Sequence, residues 1–413
     1  MSSDRSYSAG YTKDVANEQS ERSELILGIE SSCDETAAAV VRAGTTVCSN
    51  VVASQIALHA NYGGVVPELA SREHLRNIVP VMREAILDSG YALSDLAAIA
   101  VTEGPGLAGA LLVGITFAKS LAFGLNVPLI GVNHLEGHIH AVLMEAHQHA
   151  QQPMELPLLA LVVSGGHTHL YLAEQHGNAI QDQAAWRYKN VGRTVDDAAG
   201  EAYDKVAKLL GLGYPGGPWI DALAKYGNAR AVPFSFAEIK TRAPRPGIPV
   251  SKKAPAAAHG PSFDFSFSGI KTAVLRHVEA HAMRESIAAR REALARIPEP
   301  KLADILALCD TETLNLIASF QRAVVDYLLR GTFAAAEAYG ARAIVVSGGV
   351  AANRELRARF TAEAAKRNIP IAFPSLALAT DNAAMIAAAA WPKLQSQIFA
   401  ADNLQATAQL RLG

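Results

Sequence analysis

The sequence predicts an α/β protein made of two similar lobes with a ligand cleft between them. Apolar segments typical of buried strands alternate with segments of helical periodicity from residue 25 onward. A strand, a short polar turn and a returning strand are predicted at 25–41 and again at 158–173. The pentapeptide Val-Val-Ser-Gly-Gly occurs at 162–166 and at 345–349. Such internal repetition indicates a duplicated lobe.

The composition bounds the class of protein. The chain has 413 residues, enough for two or three domains, and its 50% hydrophobic and 18% charged residues suffice for large cores. A formal net charge of −2 does not indicate a nucleic-acid partner. A small substrate and an RNA bound by a local basic patch therefore both remain possible. The scattered Cys33, Cys48 and Cys309 fit a reducing cytoplasm. No apolar run is expected to reach the ~18 residues of a membrane span, so we expect no membrane partner.

The chain is predicted to divide into a leader and two lobes. Residues 1–24 are polar, lack the apolar core of a signal peptide and are predicted to be a disordered leader. Residues 25–155 form the first lobe and residues 156–382 the second, with the proline-bearing segment 153–157 at the boundary. A helix at about 383–398 is expected to pack back on the first lobe.

The first lobe opens with strand 25–30, a polar turn at 31–36 and strand 37–41. The hydroxyls and carboxylates of that turn form either a polar hairpin tip or a loop that faces a phosphate or a metal-bound water. The glycines of Gly104-Pro105-Gly106 serve either a plain turn or a close approach to a ligand. The other predicted elements are a helix that opens at 63–68 and continues to roughly residue 89, strand 98–102 and helix 109–123.

His134 and His138 follow the predicted strand 127–132, at the edge where open α/β sheets place their ligands. In a helix, residues four apart project from one face, a spacing at which two imidazoles can hold one metal ion. Isolated pairs of this kind are more often surface or packing histidines. Asp381, before a predicted alanine-rich helix, is either the N-cap of that helix or the third member of a His-His-carboxylate set typical of Fe(II) and Zn(II) sites.

Glycine- and serine-rich turns end the predicted strands of the second lobe as well, and with the first-lobe turn they favour a nucleotide cleft. Asp196 is predicted to cap the helix that follows it. Asp204 has no predicted capping role, so a ligand contact is more plausible there. Gly217 would let the backbone approach a ligand, with Asp221 one turn into the same helix. Asn353 is either a helix cap or a hydrogen-bond partner of a base or ribose.

The remaining segments of the second lobe give weaker signals. Residues 237–262 are proline-rich and basic, and we interpret them as an insertion that is either solvated or in contact with a nucleic-acid backbone. Residues 263–269 alternate like a strand with buried phenylalanines. A helical insertion at about 280–305, within the Arg-, Glu- and Ala-rich stretch 276–305, is expected to be exposed, and 313–339 to be a long helix.

Taken together and in chain order, eight segments resemble the TsaD family of tRNA threonylcarbamoyltransferases, formerly classed as O-sialoglycoprotein endopeptidases. They cover nearly everything from residue 25 to about 395, apart from the two insertions. They include Gly-Ile-Glu-Ser-Ser-Cys-Asp-Glu-Thr at 28–36 and His-Leu-Glu-Gly-His at 134–138. The others lie at 63–68, 104–106, 163–168, 196–201, 348–354 and 380–382.

The resemblance implies a two-lobed actin/Hsp70-like (ASKHA) fold of duplicated α/β domains. It implies transfer of the threonylcarbamoyl group from threonylcarbamoyl-AMP to N6 of the adenosine beside the anticodon, in tRNAs that read codons beginning with A. It also implies a paralogous TsaB-type subunit and a TsaE-type ATPase as partners.

The resemblance also assigns site residues. The metal ligands fall on His134, His138 and Asp381, which would hold one divalent ion, Fe(II) or alternatively Zn(II). Because an aromatic amine is a poor nucleophile, a general base should help, and Glu35 in the first-lobe turn is our candidate. The adenylate contacts fall on Val162, Val163, Ser164, Gly165, Gly166, Asp204, Gly217, Asp221 and Asn353.

Three other functions compete with this interpretation. A metalloprotease of the zincin type uses His-Glu-x-x-His, whereas here the glutamate is Glu136, displaced around the helix. A non-catalytic nucleotide-binding partner would need no metal, so the His-His-Asp set argues against it. A sugar or acetate kinase of the same fold would carry out ATP-dependent phosphoryl transfer.

Overall fold

A computed structural model describes residues 24–60, 62–148, 154–175, 186–236 and 263–413. The predicted disordered leader, apart from Glu24, and the predicted basic insertion 237–262 lie outside the described residues.

The first lobe is built on a five-stranded sheet with the order β3-β2-β1-β4-β5. The first three strands pair antiparallel, and β1, β4 and β5 pair parallel. The strands are β1 (Leu25–Glu30), β2 (Glu35–Arg42), β3 (Thr46–Ser54), β4 (Ala98–Gly104) and β5 (Leu129–Asn133).

The second lobe repeats this topology in a sheet with the order β8-β7-β6-β9-β10. Strands β6, β7 and β8 pair antiparallel, and β6, β9 and β10 pair parallel. The identical order and directions confirm the predicted duplicated α/β fold. The strands are β6 (Leu158–Val163), β7 (Thr168–Glu174), β8 (Arg187–Arg193), β9 (Ala343–Ser347) and β10 (Ile371–Ala372).

Helices cover both sheets. Those before the second sheet are α1 (Ile56–Ala60), α2 (Pro67–Ser89), α3 (Ala108–Leu125) and α4 (His134–Gln148). Those that follow β8 are α5 (Ala199–Leu209), α6 (Gly216–Ala224), α7 (Ser268–Ala280), α8 (Arg284–Ala295), α9 (Leu302–Ala307) and α10 (Thr311–Ala338). The last are α11 (Arg354–Lys366), α12 (Leu376–Ala379) and α13 (Ala383–Gln395), with short 3-10 helices at Leu93–Asp95 and Gly349–Ala352.

Alternation along the buried strands divides the core into layers. In β1, Leu25 and Leu27 face α2 and α3, whereas Ile26 faces α13. In β6, Leu159 and Leu161 face α5, α7 and α10, whereas the side chains on the other face of that sheet pack against α4. Because successive side chains of a strand point to opposite faces, each sheet is covered on both sides, and α4 lies between the two sheets.

Two expectations for the second lobe are wrong. Residues 263–269 form no strand but run irregularly beside β8, and α7 already begins at Ser268. Their phenylalanines Phe265 and Phe267 are nevertheless buried. The stretch 276–305 is not simply exposed, because Val278, Ile287 and Arg290 are among its buried residues.

Helix α3 has the length and apolar composition of a membrane span, which the sequence analysis did not anticipate. Core helices of globular proteins share this length and composition. One face of α3, including Leu111 and Ile115, packs on the first sheet.

Candidate metal centre and interlobe cleft

The two histidines of the predicted metal site lie in the first turns of α4. Asn133, the last residue of β5, directly precedes this helix, and its Oδ1 accepts a hydrogen bond from the Leu135 N–H in the first turn at 3.0 Å. His134 and His138 project from the same face, as their spacing predicts, and their rings meet edge-on with centroids 4.7 Å apart. Both side chains are buried.

Asp381 reaches the same point from the loop before α13. The side chain of Asn382 caps that helix by accepting from the Met385 N–H at 3.1 Å, so the alternative role for Asp381 as N-cap is wrong. Its Oδ1 instead lies 3.5 Å from His134 Nε2 and 3.2 Å from His138 Nε2. Among the described residues, these three side chains form a compact group of metal-ligating type.

Glu30 and Ser32 complete the surroundings of His134, and neither was predicted as a site residue. Glu30 Oε2 lies 3.1 Å from His134 Nδ1 and accepts a hydrogen bond from Thr102 Oγ1 at 2.6 Å. Ser32 Oγ lies 3.2 Å from the same Nδ1. A hydrogen bond from Nδ1 to a carboxylate leaves Nε2 free to bind an ion. The sequence feature that could have indicated Glu30 is its position as a carboxylate at the end of the otherwise apolar strand β1.

Electrostatics in this group favours ionised carboxylates. Burial alone would raise the pKa of Glu30 and of Asp381, but attraction to His134 outweighs it and holds both pKa values below their ordinary range. Burial would likewise lower the pKa of His134, yet Asp381 and Glu30 raise it to about 9. Without a metal ion, a proton on His134 offsets part of the negative charge of the two carboxylates; a cation would replace that proton.

The donor set fits a divalent transition metal. Two imidazoles and one carboxylate, with room for further ligands, suit Fe(II) or Zn(II). Neither ring nitrogen of His138 makes a well-aligned hydrogen bond among the described residues, and Nε2 has only the 3.2 Å contact with Asp381 Oδ1, although the side chain is fully buried. Buried polar atoms without partners are rare, and a metal at Nε2 would satisfy one of them.

The turn after β6 faces this centre from the second lobe. Ser164 closes it: its N–H donates to the His167 carbonyl at 2.8 Å. Gly165 and Gly166 are exposed, and a Cβ on either would meet nothing within 4 Å, so a ligand has open access to their backbone. The rings of His167 and His134 lie 6.1 Å apart. Burial and the positive charge of His134 lower the pKa of His167 to about 3, so this imidazole is neutral. Val162 and Val163, by contrast, are fully buried in the core.

Two aspartates of the second lobe act as caps in ways the sequence analysis did not predict. Asp196 does not cap α5; its carboxylate accepts from the Phe267 N–H at 2.7 Å and from the N–H and hydroxyl of Ser268, at the start of α7. Asp204, predicted to have no capping role, accepts from the Gly216 N–H at 2.7 Å, at the start of α6. Burial raises the pKa of Asp204, and repulsion from Asp34 of the first lobe raises it further, although the hydrogen bond from Gly216 opposes this shift.

The other predicted adenylate contacts lie at the starts of α6 and α11. Gly217 is open, with nothing within 4 Å of an added Cβ. Asp221 pairs with Arg354 at 2.8 Å. Asn353 caps α11 by accepting from the Leu356 N–H at 2.9 Å and donates to Gln321 Oε1 at 2.8 Å. Its amide is thus engaged within the protein.

Glu35 lies half-buried at the start of β2, on the first-lobe side of the cleft. Burial first, then repulsion from Asp381 and Asp34, raises its pKa to about 10. The metal-free chain therefore carries Glu35 as a neutral acid at neutral pH. Tyr214 of the second lobe has its pKa raised by burial and by the same acidic turn, which places the two lobes face to face here.

Glu136, the glutamate between the two histidines, does not serve the centre. Its Oε2 accepts a hydrogen bond from Lys393 Nζ of α13 at 2.8 Å. A zincin protease needs a free carboxylate beside the metal-bound water, and this one is buried in an ion pair.

Comparison with known proteins gives a consistent result. Residues 46–388 match the family described as TsaD, tRNA N6-adenosine threonylcarbamoyltransferase. The protein of that name from Koribacter versatilis (strain Ellin345) is 59% identical over 391 residues, covering 94% of this chain and 99% of its own. Its counterpart from Geobacter sp. (strain M21) is 49% identical, covering 88% of this chain and 89% of its own. Among solved structures, T. kodakarensis HypF is similar with a TM-score of 0.49 and 14% identity, covering 93% of this chain and 50% of its own.

Proposed function

The chain belongs to the TsaD family of tRNA N6-adenosine threonylcarbamoyltransferases, and from that premise we propose that its interlobe cleft binds threonylcarbamoyl-AMP and presents it to tRNA. The enzyme is an acyltransferase that modifies N6 of a tRNA adenosine. One observation supports the proposal that the donor binds in this cleft. The group His134, His138 and Asp381 faces the open turn at Ser164–Gly166 across it.

The proposed reaction joins two substrates in one displacement. The N6 amine of the adenosine beside the anticodon, in tRNAs reading codons that begin with A, attacks the carbamoyl carbon. A bond from N6 to that carbon forms, the bond from the carbon to the phosphate oxygen breaks, and AMP leaves. The amine loses one proton. Holding both substrates in a reactive orientation lowers the barrier for such a weak nucleophile.

His134, His138 and Asp381 would hold one divalent ion, Fe(II) or alternatively Zn(II). When bound, it supplies Lewis acidity and a template for the oxygens of the donor. Glu30 orients His134 through Nδ1, and buried Thr102 fixes Glu30 in turn. These hydrogen bonds thus orient the His134 imidazole in the absence of the ion.

The second lobe would hold the adenylate. The exposed backbone of Gly165 and Gly166 can approach the phosphate without a side chain in the way. Asp204 fixes the first turn of α6 and so positions Gly217 for the nucleoside. Asp221 and Asn353 are placed by Arg354 and Gln321. Asp221 and Asn353 therefore help to shape this side of the cleft, in addition to any direct contact they make with the nucleotide.

Glu35 remains our candidate for the base that accepts the amine proton. A base must be ionised, so the role requires a lower pKa than the metal-free chain imposes. A cation at Asp381 would offset the repulsion that contributes to raising the pKa of Glu35. Glu35→Gln should then abolish single-turnover transfer while threonylcarbamoyl-AMP still binds. Unchanged transfer would refute the assignment.

The decisive test reconstitutes the reaction. The chain is incubated with bicarbonate, threonine, ATP, a threonylcarbamoyl-adenylate synthase and tRNA, and the nucleosides are then analysed by mass. His138→Ala should lose bound metal and transfer together, whereas His147→Ala, an exposed histidine in the last turn of the same helix, should retain both. Full transfer by metal-free His138→Ala would contradict the metal proposal.

We further propose that the chain works in the cytoplasm with a paralogous TsaB-type subunit and a TsaE-type ATPase. Helix α3 exposes Leu112 and Phe123, which lie three turns apart on one face, and α2 exposes Leu75 and Val79. Contiguous exposed apolar patches often mark protein interfaces, and we propose that these side chains belong to one. Substituting Phe123 by Asp should abolish co-elution with the paralogous subunit without unfolding the lobe; unchanged co-elution would exclude this face.

A further inference from the structure

A second group of two histidines and one carboxylate lies in the second lobe, apart from the cleft. His277 is in the last turn of α7, His281 directly follows that helix, and Glu312 is in the first turn of α10. One ligand atom from each of the three side chains lies within 4.8 Å of the other two. The two histidines repeat the spacing of four that His134 and His138 show.

The distances suit a single ion. His277 Nε2 and His281 Nε2 each lie 3.9 Å from the same atom, Glu312 Oε1. Tetrahedral zinc with bonds of about 2.0–2.1 Å holds neighbouring ligand atoms about 3.4 Å apart. The two imidazole rings stack with their centroids 3.9 Å apart and their planes at 22°, so closing the group takes a rotation of the rings toward a common point together with a contraction of about 0.5 Å. At 3.9 Å neither pair is a hydrogen bond, so direct contacts within the group do not already satisfy these atoms.

The hydrogen-bond pattern leaves the ε nitrogen of His281 ready to coordinate. His281 Nδ1 lies 2.9 Å from the His277 carbonyl, and because a carbonyl only accepts, Nδ1 carries the proton. That tautomer leaves the Nε2 lone pair directed elsewhere, the arrangement seen for metal-bound histidines. His277 Nε2 is buried without a hydrogen-bond partner among the described residues.

We propose that His277, His281 and Glu312 form a second divalent-metal site, suited to Zn(II). Three protein ligands leave a fourth position for water. The three side chains are 16%, 47% and 43% exposed, so an ion enters from solvent without opening the fold. The bound ion links the end of α7 to the start of α10 and closes the chain around α8 and α9, the helical insertion that departs from the family pattern.

The test is zinc stoichiometry of the full chain without a histidine tag, dialysed against micromolar Zn(II). Wild type should bind two ions per chain, and His281→Ala and Glu312→Gln should each bind one. His138→Ala/Asp381→Ala, which removes the cleft site, should also bind one, and adding His281→Ala should remove it. His147→Ala should still bind two.

Thermal unfolding provides an independent readout. Zinc should raise the melting temperature of His138→Ala/Asp381→Ala, because an ion that binds only the folded state stabilises it. It should not do so once His281 or Glu312 is replaced as well. If stoichiometry and zinc-induced shift are the same with and without His281, the proposal is overturned. Both substituted side chains are substantially exposed, so the variants keep the fold.

Discussion

Glu30 is the residue on which the first metal ligand depends. Its fully buried carboxylate receives Thr102 Oγ1 at 2.6 Å and faces His134 Nδ1 at 3.1 Å. Partners of this kind orient a metal-bound imidazole, and their loss typically weakens metal affinity 10–100-fold. We expect Glu30→Gln to lower metal affinity by about that factor, measured by competition with a chelator. Glu103→Gln, a carboxylate near the end of the adjacent strand β4, is the control; equal affinities in the two variants would refute the role.

Glu35 makes stability depend on pH in the metal-free chain. Burial and repulsion from Asp381 raise its pKa from 4.5 to about 10. Between these values the unfolded chain has released a proton that the folded chain keeps, so folded stability falls as pH rises. Glu35→Gln should therefore be more stable than wild type at pH 8, with the difference shrinking toward pH 4. Denaturant unfolding with chelator present measures this, and exposed Glu84→Gln should show no such trend.

Three aspartates illustrate where prediction at the residue scale stops. The sequence places Asp196 and Asp381 at predicted helix starts and Asp204 further along a predicted helix, but it does not say which helix each carboxylate reaches. Asp196 caps α7, 72 residues further along the chain, and Asp204 caps α6 rather than binding only a ligand. These bonds are set by tertiary packing. Asp381 is free for the histidines only because its neighbour Asn382 already caps α13.

Among the elements, the helical insertion is tied to the second lobe by a buried cation as well as by buried apolar side chains such as Ile287 and Ile305. Arg290 of α8 is 1% exposed. It donates to the Leu210 carbonyl at 2.6 Å, the Leu308 carbonyl at 3.2 Å and Thr313 Oγ1 at 2.9 Å. One side chain thus ties α8 to the ends of α5 and α9 and to the first turn of α10.

We expect Arg290→Met to destabilise the chain by about 2–5 kcal/mol, because it strands buried acceptors that each cost about 1–3 kcal/mol when unsatisfied. Urea unfolding measures the change. The adjacent Arg291 makes one exposed contact of 3.5 Å to the Lys208 carbonyl, so Arg291→Met should cost less than about 0.5 kcal/mol. Similar losses in both variants would show that the buried hydrogen bonds contribute little.

The strands show which elements a sequence reveals. The bounds of β1 match the prediction and β6 begins at residue 158 as predicted, because both strands are fully buried and therefore mostly apolar. Strands β3 and β8 lie at sheet edges, mix polar and apolar residues, and were not predicted. The alternating segment 263–269 was wrongly predicted as a strand. Its phenylalanines are buried by helices of the second lobe, so a strand-like pattern arose without a strand.

At the scale of the molecule, α4 joins the two lobes and carries the metal histidines. Its Ala141 and Met144 pack with α13 against the first sheet, whereas Ile139 and Val142 pack against the second. The site is therefore built on an element buried from both sides, which restricts the rotamers of its ligands. The histidine spacing predicted a shared helix face, but this intermediate position follows only from stacking two complete sheets.

This arrangement predicts that one α4 side chain couples the unfolding of the two lobes. Ile139 is fully buried between α4 and the second sheet, whereas Ile130 is fully buried in the first-lobe core. Truncation of either to alanine should cost about 2–5 kcal/mol. Calorimetry should then distinguish the two variants. Ile130→Ala should keep the single transition expected of wild type at a lower temperature, whereas Ile139→Ala should lower the ratio of van't Hoff to calorimetric enthalpy as the lobes begin to unfold separately. Equal ratios in the two variants would mean that contacts other than α4 hold the lobes together.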